Sequence, residues 1–129
     1  MEGKKILIAE DDAIQAEDLK EILEDLGYSV LKPVSKGDDA VRLAAKEKPD
    51  LVIMDIRLKG TIDGIEAAEK IRERYGIPRY GIPIIFLTAF ERDHAYIQRA
   101  KNTIDCTFVA KPPSEDELQA AIAKALFNN

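Results

Sequence analysis

Four polar signals stand at the ends of short apolar runs: the acidic triplet Glu10-Asp11-Asp12, then Asp55, Thr88 and Lys111. The runs that precede them are Ile6-Leu7-Ile8-Ala9, Leu51-Val52-Ile53-Met54, Ile84-Ile85-Phe86-Leu87 and Phe108-Val109-Ala110. Strands of a parallel sheet that alternate with helices end on one shared edge, and ligands bind at that edge. Carboxylates, a hydroxyl and an ammonium far apart in sequence would then meet at one site. Two carboxylates about 5 Å apart repel by roughly 3 kcal/mol at an effective dielectric near 20. Three together need a cation or must hold protons. Neither His nor Cys lies beside these motifs, and all-oxygen ligation favours Mg²⁺ or Mn²⁺ over Zn²⁺. Lys111 then supplies a fixed positive charge for an anion that the metal also touches, and Thr88 can donate a hydrogen bond to it. Around a lone aspartate, Asp55, these are the parts needed for phosphoryl transfer to that aspartate.

The elements that would position them alternate regularly. Leu19, Ile22, Leu23 and Leu26 fall at helical spacing after the first run, and Gly27 is placed to end that helix. Tyr28 to Leu31 reads as a second, weaker strand. Residues 39–48 read as a second helix with Ala40, Val41, Ala44 and Ala45 inward, ended by Pro49. Ile65, Ala68 and Ile71 mark a third helix, with Asp63 or Thr61 as its cap, and residues 91–102 a fourth with the faintest apolar stripe. The last helix starts near Ser114, where Ser114 and Glu117 make a capping-box pattern. The runs at 51–54 and 84–87 are apolar throughout, so both sheet faces should be covered by helices. The expectation is an α/β chain, a (βα)₅ doubly wound parallel sheet of five strands in the order 2-1-3-4-5.

At 129 residues and 46% hydrophobic content, the chain suits one domain with a proper core. Its net charge of -5 argues against direct nucleic-acid binding, which needs a basic face. The single Cys106 excludes an internal disulfide and suits a reducing cytoplasm. No apolar stretch reaches secretory or transmembrane length, so no membrane association is expected. A perfect tandem repeat, Arg74 to Pro78 followed by Arg79 to Pro83, reads as a slipped duplication in a surface loop on the side away from the acids.

Taken together the motifs strongly resemble the receiver domain of two-component response regulators, with its flavodoxin-like or CheY-like fold. The resemblance rests on Ile6 to Asp12, Pro49 to Ile56, Asp63-Gly64-Ile65-Glu66-Ala67, Leu87-Thr88-Ala89 and Lys111-Pro112, in order and across nearly the whole chain. It implies one receiver domain over residues 1–129 without an output domain, a phosphorylation-driven switch rather than an enzyme. Asp55 would be the phosphoacceptor, charged by a sensor histidine kinase or a small phosphodonor. Mg²⁺ (or Mn²⁺) would be held by Asp11, Glu10, Asp55 and the backbone carbonyl of Arg57. Lys111 and Thr88 would bind the phosphoryl group, Phe108 would be the switch aromatic, and the peptide before Pro112 would be cis. Arg57 and Phe90 stand where the family modulates phosphoryl lifetime. A downstream protein would read the face made by the fourth helix, fifth strand and fifth helix, and the chain would be a cytoplasmic monomer or weak dimer.

The chain departs from the family at three positions. Phe108 lacks the hydroxyl of the common Tyr, Thr107 replaces a common Gly, and Pro113 follows Lys111-Pro112 where a large apolar residue is usual. Asp12 reads as a helix cap, His94 and Tyr96 as helix-surface residues, and Cys106 as a small apolar group. A haloacid-dehalogenase-type phosphohydrolase would need an acid two residues after Asp55, where Arg57 cannot serve. A nucleotide-binding Rossmann domain fails because no glycine follows the first run. A receiver-like scaffold that never sees phosphate is opposed by the full set Glu10, Asp11, Asp55, Thr88 and Lys111.

Overall fold

A computed structural model describes residues 3–74, 81–103 and 105–127. Five strands and five helices alternate along it: β1 (Lys5–Ala9), α1 (Ala13–Asp25), β2 (Ser29–Val30), α2 (Gly37–Glu47), β3 (Leu51–Asp55), α3 (Gly64–Arg74), β4 (Ile84–Thr88), α4 (His94–Thr103), β5 (Thr107–Ala110) and α5 (Glu115–Phe127). The strands form one sheet in the order β2-β1-β3-β4-β5, all neighbours parallel. Each face of that sheet carries its own core. Ile6, Ile8, Ile53, Ile85 and Val109 face Leu19 and Leu23 of α1 and Leu118 and Ile122 of α5. Leu7, Val52, Met54 and Phe86 face Ala40 and Ala44 of α2, Ile65, Ala68 and Ile71 of α3, and Ile97 and Ala100 of α4. This two-sided burial is why β3 and β4 are apolar without alternation, and each buried Leu, Ile or Val contributes about 1.5–3 kcal/mol.

Local chemistry sets the helix ends. Asp12 caps α1, its Oδ1 accepting from the Ile14 and Gln15 N–H groups at 3.0 Å each. Gly27, at φ 98, takes the left-handed turn that ends the helix. Of the two residues expected to cap α3, Asp63 does so: its Oδ1 accepts from Glu66 N–H at 2.9 Å while Glu66 Oε1 accepts from Asp63 N–H. Thr61 instead donates to Asp38 at the start of α2. Ser114 and Glu117 form the expected capping pair at α5.

Three boundaries differ from the sequence reading. The second strand is two residues rather than four: the Tyr28 N–H is taken by the Leu23 carbonyl of α1, and its side chain is buried in the core. Beyond the strand, Leu31 N–H donates to the Ile6 carbonyl and Val34 N–H to the Ile8 carbonyl, leading into the Ala9–Val34 bridge. Helix α2 starts two residues before Asp39, at Gly37, whose bare Cα permits close approach: a Cβ there would lie 2.7 Å from Ile62 Cγ1. Helix α4 starts at His94 rather than at residue 91; residues 90–93 form a turn that sends Asp93 inward. His94 is exposed, as expected, and Tyr96 is half-buried. Cys106 sits half-buried against the core, where burial pushes its thiol up to about 11, so it stays protonated at neutral pH. Most of the tandem repeat, residues 75–80, lies outside the described residues.

One glycine governs the position of the acidic edge. A Cβ on Gly64 would stand 2.3 Å from the Asp55 carbonyl oxygen and 3.1 Å from that of Ile56, both rigid backbone. Gly64→Ala should therefore destabilise the fold by about 3 kcal/mol through overpacking. Urea unfolding of the variant checks this, and a midpoint equal to wild type would show that the loop after β3 yields freely.

Candidate functional site

The C-terminal ends of β1, β3, β4 and β5 bring the sequence-predicted residues to one edge. Glu10, Asp11 and Asp55 offer carboxylate oxygens that lie within 4.8 Å of one another. Glu10 and Asp55 are nearly fully buried, at 3% and 5% exposure, whereas Asp11 is partly open to solvent. Lys111, carried by the end of β5, reaches across β4 so that its Nζ lies 2.8 Å from Asp55 Oδ2 and 3.1 Å from Glu10 Oε1. Asp55 Oδ1 accepts from the Arg57 N–H at 2.9 Å. The peptide between Lys111 and Pro112 is cis. A cleft of about 420 Å³ opens over the cluster, with Arg57, Lys59 and Arg92 on its rim.

The electrostatics follow from crowding acids at a strand edge. Burial raises the Glu10 carboxyl above its ordinary range, and the Asp11 carboxyl beside it pushes the same way, against the Asp12 N–H and Lys111. For Lys111, burial alone would lower the ammonium, but Asp55 and Glu10 outweigh it and leave the group raised. Lys111 therefore stays charged. Its single charge faces a group of acids, and Lys59 adds only a distant contact, 3.7 Å from Asp11.

A divalent cation fits this donor set on one specific ground. Glu10 Oε1 is buried and accepts no hydrogen bond, since Lys111 approaches it without hydrogen-bond geometry. A buried carboxylate oxygen left this way is costly, and an oxygen-ligated ion would satisfy it. Glu10, Asp11 and Asp55 supply hard oxygen donors of the kind Mg²⁺ and Mn²⁺ take.

Thr88 is where the structure adds a partner that the sequence reading missed. Its hydroxyl does not point to Asp55; it donates to Asp93 Oδ2 at 2.9 Å. The same carboxylate accepts from Ala89 N–H at 2.8 Å and from Arg92 Nε at 3.1 Å, with Arg57 3.6 Å away. Burial would raise the Asp93 carboxyl, but these donors outweigh it and hold it below the usual range. Arg57 also lies over the Tyr96 ring at 5.4 Å, and Arg99 approaches the same ring while pairing with Asp63. The only signal for Asp93 in the sequence was its place as an N-cap type of residue ahead of an apolar stripe. Phe90 is 48% exposed and stands outside the cleft lining, whereas Arg57 is part of that lining. Phe108 is half-buried, its ring 6.1 Å from that of Phe86.

Comparison with known proteins agrees with the geometry. The family model for the response regulator receiver domain matches residues 6–123. The chain is 39% identical over 124 residues to the transcriptional regulatory protein PdtaR of Mycobacterium tuberculosis, covering 95% of this chain and 57% of that one. It is 33% identical to the regulator CrdR of Helicobacter pylori, covering 98% of this chain and 56% of that one. It thus spans little more than half the length of these relatives. Among solved structures, the receiver domain of a modulated diguanylate cyclase from Desulfovibrio desulfuricans superposes with a TM-score of 0.85 at 35% identity, over 98% of this chain and 96% of that one. The receiver domain of sensor histidine kinase PA1611 from Pseudomonas aeruginosa follows at 0.82 and 32%, over 96% and 98%, with a magnesium ion coordinated in its active-site cleft. Domains of this family are regulatory switches rather than classical enzymes, and they bind Mg²⁺ in an acidic pocket. In fold, in matched sequence and in the acids gathered at its strand edge, the chain belongs to the response regulator receiver domain family of two-component signalling.

Proposed function

We propose that this chain, as a single receiver unit over residues 1–129, is a phosphorylation-driven switch whose phosphoacceptor is Asp55. The observation that carries the reading is the setting of that carboxylate. It is buried, it adjoins Glu10 and Asp11, and it is held between the Lys111 ammonium and the Arg57 N–H. In the reaction an Asp55 oxygen attacks the phosphorus of a sensor kinase phosphohistidine. The P–N bond breaks, an acyl phosphate forms, and the imidazole leaves with a proton. Mg²⁺ (or Mn²⁺), when bound by Glu10, Asp11, Asp55 and the Arg57 carbonyl, supplies positive charge against the acids and the incoming phosphoryl oxygens. Lys111 shifts its pairing from Asp55 to the phosphoryl group, Thr88 turns to donate to it, and Phe108 moves inward against Phe86. The chain's only catalysis is of its own phosphorylation and dephosphorylation. Its partners are a cytoplasmic sensor histidine kinase and a downstream protein at the α4–β5–α5 face, read by a monomer or weak dimer without contact to nucleic acid or membrane. With phosphorylation lowering the energy of one pre-existing conformation, beryllofluoride plus Mg²⁺ should shift the amide resonances of Thr88, Phe108 and α4. Shifts confined to the acidic cluster would contradict a switch.

Arg57 and Phe90 are proposed to govern how long the phosphoryl group survives. Because Arg57 lines the cleft, its bulk obstructs an attacking water; Phe90, exposed and outside that lining, adds to the obstruction only on moving over the cleft. Arg57→Ala/Phe90→Ala should lose its phosphoryl group faster than wild type, followed as decay of label; equal decay rates would remove the idea.

A further inference from the structure

The buried Asp93 carboxylate has no place in the phosphoryl chemistry above, yet it gathers donors that this chemistry would use. It is fully buried, and it accepts from Thr88 Oγ1, Ala89 N–H and Arg92 Nε, with the Arg57 guanidinium 3.6 Å away. Arg57 and Arg92 both line the cleft over Asp55. Asp93 is the residue immediately before α4, and its main-chain carbonyl accepts from Ile97 N–H inside that helix. Its side chain does not cap the helix that follows. Its bonds run backwards, to the loop after β4.

We propose that Asp93 is a positioning residue that stands in for the phosphoryl group in the resting state, holding Thr88, Arg57 and Arg92 until a phosphoryl group on Asp55 competes for them. The inference rests on the reading of Asp55 as phosphoacceptor and adds a partner to its switch. Thr88 has one hydroxyl hydrogen, so a bond to the phosphoryl group and a bond to Asp93 exclude one another. Both acceptors are anionic, and both bonds are therefore of the stronger, charge-assisted kind. The resting bond thus opposes activation directly. Since Asp93 opens α4, releasing Thr88 and the two arginines also unties the loop after β4 from that helix. The link between site and α4 is then an exchange of donors between two anions.

Beryllofluoride, titrated in Mg²⁺ and followed by ¹⁹F NMR, tests this on wild type, Asp93→Ala, Asp93→Asn and the Thr88→Ala counterparts of each. Removing the competing anion should tighten beryllofluoride binding by about 5-fold in Asp93→Ala. Asp93→Asn keeps a neutral acceptor and should show a smaller change, roughly 2-fold, in the same direction. Thr88→Ala should weaken binding more in the Asp93→Ala background than in wild type, which a merely structural role for Asp93 would not produce. If Asp93→Ala does not fold, Asp93→Asn decides the matter. Failure of wild type to bind would overturn the reading of Asp55 and this inference with it. Binding by wild type with unchanged or weaker affinity in the folded variants would overturn this inference alone.

Discussion

Asp55→Asn will acquire no label from a phosphodonor under conditions that label wild type, whichever donor is used. The amide nitrogen is not a nucleophile, and the edge offers no equivalent replacement. Glu10 is as buried as Asp55 and its Oε2 likewise accepts from a backbone N–H, that of Asp12 at 3.0 Å, but Lys111 hydrogen-bonds Asp55 Oδ2 and approaches Glu10 Oε1 without hydrogen-bond geometry. Asp11 is partly open to solvent and sits near Lys59. The substitution should leave the fold intact, since an Asn side chain can still accept from Arg57 and it removes one of the acids that repel each other. Label that persists in a folded Asp55→Asn protein would move the phosphoacceptor elsewhere and sink the assignment.

Asp11→Asn should have two effects of opposite sign. Without metal, the variant should be more stable than wild type by about 1 kcal/mol. The carboxylates of Glu10, Asp11 and Asp55 lie within 4.8 Å of one another, and removing one charge relieves a repulsion that solvent at Asp11 and the nearby Lys59 only partly screen. With Mg²⁺ added, wild type should gain stability in proportion to the logarithm of the ion's concentration over its dissociation constant. The variant should gain almost nothing, having lost the most accessible of the three ligands. Calorimetric melting with and without Mg²⁺ reads both effects. An equal Mg²⁺ response in the two proteins would place the ion elsewhere, and a less stable metal-free variant would contradict the crowding of charge.

Most of this edge was legible in the residues because parallel strands leave little freedom. Leu51 to Met54 and Ile84 to Leu87 must be buried on both faces, so the polar residue after each run places Asp55 and Thr88 at the C-terminal ends of neighbouring strands, one register step apart. The second strand was overextended because Tyr28 suits a strand by propensity, yet its ring is used in the core beneath α1. That is tertiary packing overriding a local preference. The start of α4 was misplaced for a different reason. Glu91-Arg92-Asp93 reads as a solvated first turn, and nothing in the residue types distinguishes an Asp that faces water from one that folds back to Thr88. Asp93 is buried only because Thr88, Ala89 and two arginines satisfy it, and a carboxylate that folds back onto the preceding loop, with Arg57 as its one distant partner, is invisible to spacing rules. The Gly37 and Gly64 contacts were hidden too, since a close approach of backbone to backbone leaves no periodic mark.

Intact mass after incubation with acetyl phosphate, with and without Mg²⁺, tests the central claim most directly. The account predicts a gain of one phosphoryl group that requires Mg²⁺ and disappears on chelation before the donor is added. An unchanged mass with acetyl phosphate and Mg²⁺, or a gain indifferent to Mg²⁺, would contradict it.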